Sequence, residues 1–221
     1  MSPEYSSQAA SRFWDQYRQK EIEKLSNLNP PLPCVKDFYY LYLQLQPSSK
    51  VLDLGCGRGC GGDAVWLAQQ GCKIYGIDVS KRAIAYCQKL FKEFNLGGYF
   101  VQGALENIPF ANIKFSAAIC LETIDHVPLE KAGGGLSAVR SLLQPNGKIL
   151  LTFDPPNTDQ NEFEAGNVQV LPDSTWFYTQ GKYQGMFFRR YTDKEIKKLV
   201  GEDNIISFEY SNSGDRYLVC R

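Results

Sequence analysis

Three glycines and two aspartates form the chain's most chemically suggestive pattern. In Val51-Leu52-Asp53-Leu54-Gly55-Cys56-Gly57-Arg58-Gly59, a short apolar run ends in a glycine-rich turn. Missing side chains at Gly55, Gly57 and Gly59 let backbone approach a ligand closely at the start of a helix. Asp78 ends the next apolar run, where a carboxylate accepts both hydroxyls of a ribose. Asp53 would repel a pyrophosphate and suits a ligand with an ammonium or sulfonium group. A GxGxG turn alone would equally serve a tight strand-to-helix junction, so the argument rests on the two acids that accompany it.

Asp125 and His126 are the candidates for proton transfer. They follow the fourth predicted strand, at the end of an open sheet where ligands bind. His126 is the sole histidine, and imidazole titrates in the useful range. A packed, hydrogen-bonded structural role for His126 is the competing reading. Zinc is disfavoured because no CxxC pair accompanies that histidine, and no metal is expected.

These residues need a scaffold, and the periodicities supply one. Strands are predicted at Val51–Leu54, Lys73–Ile77, Tyr99–Val101, Phe115–Leu121 and Lys148–Phe153. Helices are predicted between them at Asp63–Gln70, Ser80–Phe94 and Leu129–Leu143. Ser80 is a good N-cap, and Asn95 and Gly97 are stop signals. Strands alternating with helices imply a parallel sheet covered on both faces. Two further helices, about Ser11–Leu25 and Val35–Leu45, precede it, separated by the Asn29–Pro33 break and ended by Pro47. The 154–190 segment is rich in glycine, proline and aromatics and has no clean period. A helix over Thr192–Val200 and strands at Ile205–Tyr210 and Arg216–Cys220 close the chain.

Composition limits the partners. Lys plus Arg total 24, as do Asp plus Glu, so no net charge favours a nucleic-acid polyanion. No apolar run approaches the roughly 20 residues that cross a bilayer, and the start lacks the features of a signal peptide. Seven scattered cysteines fit a reducing cytoplasm better than a disulfide framework. Cys56 and Cys60, near a helix start, are candidates for a lowered thiol pKa.

Taken in order, the motifs VLDLGCGRG, IYGIDVS, QGALENIPF, FSAAICLETIDHVP and LLQPNGKILLTF resemble those of class I S-adenosylmethionine-dependent methyltransferases. The closest resemblance is to the small-molecule group of ubiquinone and menaquinone biosynthesis, over Val51–Phe153. It implies an α/β, doubly wound fold: a seven-stranded, mostly parallel sheet with an antiparallel last strand and helices on both faces. It implies one domain, in which residues 1–46 form a helical lid, 47–153 the cofactor core, 154–190 an acceptor-site insertion and 191–221 the closing helix and strands. It further implies S-adenosyl-L-methionine as cofactor, with the backbone of Gly55, Cys56, Gly57 and Gly59 beside its methionine part and Asp53 near the amino end. Asp78 would then hold the ribose, Val79 the adenine face, Leu105 and Glu106 the adenine edge, and Cys120 and Leu121 would lie near the sulfonium. Two departures stand out: the turn carries the extra Cys60-Gly61-Gly62, and Ala104 replaces a usual aspartate.

Trp14 and Tyr17 are read either as lid residues over the cofactor or as the packed stripe of an amphipathic helix. Trp176, Tyr178 and Phe188 either wall an acceptor site or form the small core of the insertion. The expected acceptor is a small molecule, aromatic or heterocyclic, methylated at oxygen or nitrogen and less readily at carbon, with no nucleic acid or membrane partner. A protein or RNA methyltransferase and an inactive cofactor-binding protein are the alternatives. The Asp154-Pro155-Pro156-Asn157 run resembles an adenine-methylating motif, but it follows the fifth strand rather than the fourth and is read as a turn.

Overall fold

In the computed structural model, which describes residues 5–44, 46, 48–156 and 168–221, Val51 and Leu52 are fully buried on opposite faces of one strand. This strand, β1 (Lys50–Leu54), is central, and side chains alternate across it with period two. Leu52 and Leu54 join one core with Ile77, Leu136, Val139 and Leu218. Val51 joins the other with Ile74, Leu67, Ile84 and Phe38. A strand buried on both faces reads as a continuous apolar run, as this one does.

The strands β2 (Lys73–Asp78), β3 (Gly98–Gln102), β4 (Phe115–Cys120), β5 (Leu143–Phe153), β9 (Ile205–Tyr210) and β10 (Arg216–Cys220) complete a seven-stranded sheet. Its order is β3-β2-β1-β4-β5-β10-β9. β1 pairs in parallel with both β2 and β4, whereas β10 runs antiparallel to β5 and β9. The fold is therefore the doubly wound α/β sheet with an antiparallel last strand. The chain reverses direction of growth between β1 and β4, and the crevice at that switch point is the usual ligand site.

The helices α1 (Ser7–Lys24), α2 (Pro33–Tyr42), α3 (Gly62–Gln69), α4 (Lys81–Glu93), α5 (Leu129–Leu142) and α6 (Asp193–Val200) surround the sheet. Ser80 caps α4 by accepting from Ala83 N–H at 3.1 Å. Thr192 and Glu195 form a capping box at α6. Within α5 the run Gly133-Gly134-Gly135 has one steric cause: a Cβ on Gly135 would lie 2.2 Å from the Leu105 side chain.

The sequence expectation differs from the structure at α2, found at Pro33–Tyr42 rather than Val35–Leu45, and in three further places. α1 starts at Ser7, earlier than Ser11, because Ser6 accepts from Ala9 N–H and caps it. β5 starts at Leu143, and its pairing with β4 jumps from Leu143 to Lys148, so Gln144–Gly147 bulges out of the ladder. The segment after β5 contains a second sheet of β6 (Val168–Val170), β7 (Trp176–Tyr178) and β8 (Phe187–Phe188). Strands of two or three residues carry too little alternation to be read as a period. Residues 1–4, the Pro47 break, Asn157 and the rest of 157–167, and the Cys60 side chain lie outside what the structure describes.

Candidate functional site

The turn after β1 begins with Gly55 at φ +76°, where a Cβ would lie 2.1 Å from Thr123 Oγ1. Both the left-handed backbone and the contact demand glycine. Gly57 is excluded from growth for a different reason: its Cβ would meet Ala83 at 2.4 Å and Asp78 Oδ2 at 2.8 Å. That closeness serves a bond, since Gly57 N–H donates to Asp78 Oδ2 at 3.0 Å. Ser80 N–H donates to the other oxygen, Oδ1, at 2.8 Å. Asp78 is thus fixed in place by backbone donors, while each carboxylate oxygen keeps a further lone pair. Burial pushes its pKa up, and Arg18 and these two N–H groups pull it back.

Around this carboxylate is a concave cleft, as small-ligand sites are. Leu54, Gly55, Ile77, Asp78, Val79, Gly103 and Leu105 form its sheet side, and Glu122, Thr123, His126 and Val127 one end. Helix α1 crosses the remaining side with Ala10, Trp14 and Arg18, residues four apart on one helical face. Asp15, on the adjoining face, ties α1 down: its Oδ1 accepts from Ser80 Oγ at 2.6 Å and from Arg82 N–H at 3.2 Å. Phe13 is packed against Tyr178, Met186 and Phe188 of the small sheet.

At the end of β4, Glu122 takes φ +46°, a strained conformation for a non-glycine residue and one that clusters at functional sites. Its N–H donates to Thr152 Oγ1 at 2.7 Å, and its carboxylate pairs with Arg58 at 2.6 Å. Arg58 also reaches Asp63 at 3.2 Å. Asp53 lies behind the turn, 4% exposed, and its carboxylate accepts no hydrogen bond from any described residue. Burial first, and then Asp63 and Asp78, push its pKa well up, with Arg58 opposing.

His126 stands at the end of the cleft with its ring 4.7 Å from that of Trp14, edge to face, and 5.5 Å from Phe188. Its Nδ1 lies 3.2 Å from the Phe187 carbonyl oxygen. A carbonyl can only accept, so Nδ1 carries the proton and Nε2 presents a lone pair. Burial lowers its pKa to about 4, against the smaller raising effect of the Phe187 bond, so the ring is neutral at pH 7.

Asp125 does not share the cleft. Its Oδ2 accepts from Asp154 N–H at 2.9 Å, its backbone oxygen accepts from Arg189 N–H at 2.6 Å, and burial pushes its carboxyl well up. Cys120 and Leu121 are buried in the two cores, and Glu106 is exposed beside the Ala104–Asn107 turn. Gly59 faces the Asn29 side chain. Cys56 is 2% exposed; burial raises its thiol pKa, the reverse of what its position in the sequence implies, since the desolvation of a buried thiolate outweighs the helix start. Of the expected acceptor residues, Trp14 alone lines the cleft; Trp176, Tyr178 and Phe188 pack with Phe13, Met186 and Tyr17 into a small core. Tyr5, Ala10, Arg18 and Thr123 line the cleft without having been read from the sequence. The four-residue spacing of Ala10, Trp14 and Arg18 is the signal that marks two of them.

A cradle closed to Cβ atoms, a carboxylate held by backbone at the end of β2, and apolar Val79 and Leu105 fit a nucleoside with a methionine tail. The fold and this cleft define a class I methyltransferase. Residues 51–147 match the family model described as a methyltransferase domain. The chain is 29% identical over 177 residues to a ubiquinone biosynthesis O-methyltransferase of Alkalilimnicola ehrlichii, covering 78% of this chain and 68% of that one. It is 34% identical over 128 residues to a botryococcene C-methyltransferase of Botryococcus braunii, covering 56% and 33%. It is 31% identical over 128 residues to the 18S rRNA (guanine(1575)-N(7))-methyltransferase of Saccharomyces cerevisiae, covering 53% and 45%. A solved magnesium protoporphyrin IX methyltransferase from Synechocystis PCC 6803 with bound SAH shares the fold, with TM-score 0.66 and 20% identity over 97% of this chain and 98% of that one. Together these matches support a class I S-adenosylmethionine-dependent methyltransferase with S-adenosyl-L-methionine as cofactor. It spans about two thirds of the first relative's length and less than half of the other two, and their acceptors are of different kinds. Among the described residues no helix is long and apolar enough to cross a membrane.

Proposed function

We propose that the chain methylates an oxygen or nitrogen of a small aromatic or heterocyclic molecule, less readily a carbon, with His126 as the proton acceptor. The observation that carries this reading is the His126 tautomer: Nδ1–H is held by the Phe187 carbonyl, so Nε2 is bare at the end of the cleft beside Trp14. When bound, S-adenosyl-L-methionine supplies a methyl group on a positively charged sulfonium, and that charge is lost as the methyl leaves. His126 accepts the hydrogen bond of the acceptor's O–H or N–H and gains a positive charge as the proton arrives, so the total charge of the cleft is unchanged. A weakly basic imidazole is adequate on these terms, because alignment and exclusion of water supply most of the acceleration.

The remaining roles follow from position. Asp78 takes the ribose hydroxyls on its free lone pairs, Val79 and Leu105 hold the adenine, and Gly55 to Gly59 pass the methionine part with Asp53 as negative charge behind them. Residues 1–46 act as the lid through Trp14 and Arg18. The 154–190 insertion closes the acceptor end through Phe187 and Phe188, and 191–221 completes the sheet beside the 47–153 core. Asp125 acts by holding the loop that carries His126. The six free cysteines described, all buried, suit a reducing compartment such as the cytoplasm.

The test is to incubate the protein with methyl-labelled cofactor and, separately, with a small-molecule extract, total RNA and a protein extract. Label is expected in the small-molecule fraction. Efficient labelling of RNA or protein with none in small molecules refutes the reading, and cofactor binding without any labelling leaves the protein a binder.

A further inference from the structure

Thr123 follows β4 at one end of the cleft, which Gly55 and His126 also line. Its side chain lies directly over the first glycine of the turn. A Cβ on Gly55 would meet Thr123 Oγ1 at 2.1 Å, Cγ2 at 2.8 Å and Cβ at 3.0 Å. The preceding residue, Glu122, takes the left-handed conformation at φ +46°, and this kink brings Thr123 back over the turn after β1. The Thr123 carbonyl then accepts from His126 N–H at 3.0 Å. One residue therefore covers the start of the methionine cradle and begins the turn that presents His126.

The hydroxyl has one hydrogen, and its direction is set. Oγ1 lies 2.9 Å from the Leu121 carbonyl oxygen, which can only accept, so the hydrogen points to the backbone. Two lone pairs remain, and among the described residues no N–H or O–H donates to them. Other polar groups at this end are engaged. Thr152 Oγ1 accepts from Glu122 N–H, and the Glu122 carboxylate pairs with Arg58. Cys120 and Leu121 are buried in the cores. A threonine serving only its own turn would need the Leu121 bond and nothing more. That role leaves unexplained an oxygen with no donor, seated over a glycine in the wall of a ligand cleft.

We infer that Thr123 Oγ1 is the oxygen that receives the positively charged methylsulfonium of the cofactor and directs its methyl toward His126. The inference rests on the cofactor reading above. A methyl on a sulfonium carries part of the positive charge on its hydrogens, and a hydroxyl that cannot donate meets it with lone pairs alone. The thioether left after transfer has neither that methyl nor that charge. The same oxygen therefore favours the cofactor over its product, and helps the exchange of one for the other after each turnover.

The test is calorimetry on the wild type, Thr123→Val, Thr123→Ala and Thr123→Ser, without acceptor. The ligands are S-adenosylmethionine, S-adenosylhomocysteine and sinefungin, in which a carbon bearing an ammonium replaces the methylated sulfur. Thr123→Val and Thr123→Ala remove the oxygen, and Thr123→Ser keeps it. In the first two, the preference for S-adenosylmethionine over S-adenosylhomocysteine should fall by about two- to fivefold. Sinefungin, which offers charged N–H donors, should lose about tenfold or more relative to S-adenosylhomocysteine. Thr123→Ser should restore both preferences. Loss of the Leu121 bond lowers the stability of both oxygen-free variants, but it acts on the three ligands alike and leaves their ratios unmoved. Equal weakening of all three ligands, or a Thr123→Ser ratio as low as that of Thr123→Val, overturns the inference while the cofactor reading stands. A wild type that binds none of the three overturns the cofactor reading, and the inference with it.

Discussion

Replacing His126 by glutamine tests the electrostatics of the cleft and its chemistry in one variant. Glutamine keeps an N–H for the Phe187 carbonyl but cannot titrate. Below pH 6.5 the unfolded chain takes up a proton at His126, while the folded chain does so only near pH 4. Stability present at pH 7 therefore drains away as pH falls through that window, by about 3 kcal/mol in total. Buried carboxyls with raised pKa, Asp53, Asp78, Asp125 and Asp154 (the last at about 6), act in the opposite sense. They stabilise the fold while protonated and cost stability as pH rises through their folded values. They are common to both proteins and cancel in the difference. Urea unfolding of the wild type and His126→Gln from pH 7 to 4 should show the wild type losing about 3 kcal/mol relative to the variant. A difference flat to within about 0.5 kcal/mol would refute the half-buried, neutral imidazole. In the kinetic arm, kcat should fall about 10²–10⁴-fold with S-adenosylhomocysteine affinity unchanged; a loss confined to stability would remove His126 from the chemistry.

The turn and the lid yield two sharper expectations. Gly57→Val places branched carbons against Ala83 and Asp78 and should abolish measurable cofactor binding by calorimetry; retained affinity would disprove the cradle. Asp15→Ala removes the bonds to Ser80 and Arg82 and should speed S-adenosylhomocysteine release by about tenfold in stopped-flow. An unchanged rate would show that α1 does not hold the ligand in.

Much of this was legible because β1, β2, β4 and their crossover helices are long enough to display a period, and because the glycine turn has few physical explanations. Asp78 and His126 were read from their position at strand ends, Val79 and Leu105 from the resemblance alone, and all four line the cleft. What escaped depends on tertiary geometry. Asp125 and His126 are adjacent in sequence, yet one turns into the core and the other to the cleft, a divergence set by the tight turn at Ile124–His126. Trp176, Tyr178 and Phe188 announce an aromatic cluster, but not whether it opens to a ligand or packs on Phe13. The partner of α1 is a helix capped far along the chain, and no local pattern in Asp15 or Ser80 reveals the bond between them.

The glycine run in α5 leaves this chain a margin for engineering. Each helical glycine costs roughly 1 kcal/mol relative to alanine, and Gly135 alone is obliged to be small, by Leu105. A Cβ on Gly134 meets nothing within 4 Å, and one on Gly133 meets Leu199 at an ordinary 3.8 Å. Alanine at both positions should raise the melting temperature by several degrees, about 2–4 °C per kcal/mol for a chain of this length, as differential scanning calorimetry would register. Alanine at Gly135 should lower it. Two of the three glycines are thus a reserve of thermal robustness, available without altering any residue that lines the cleft.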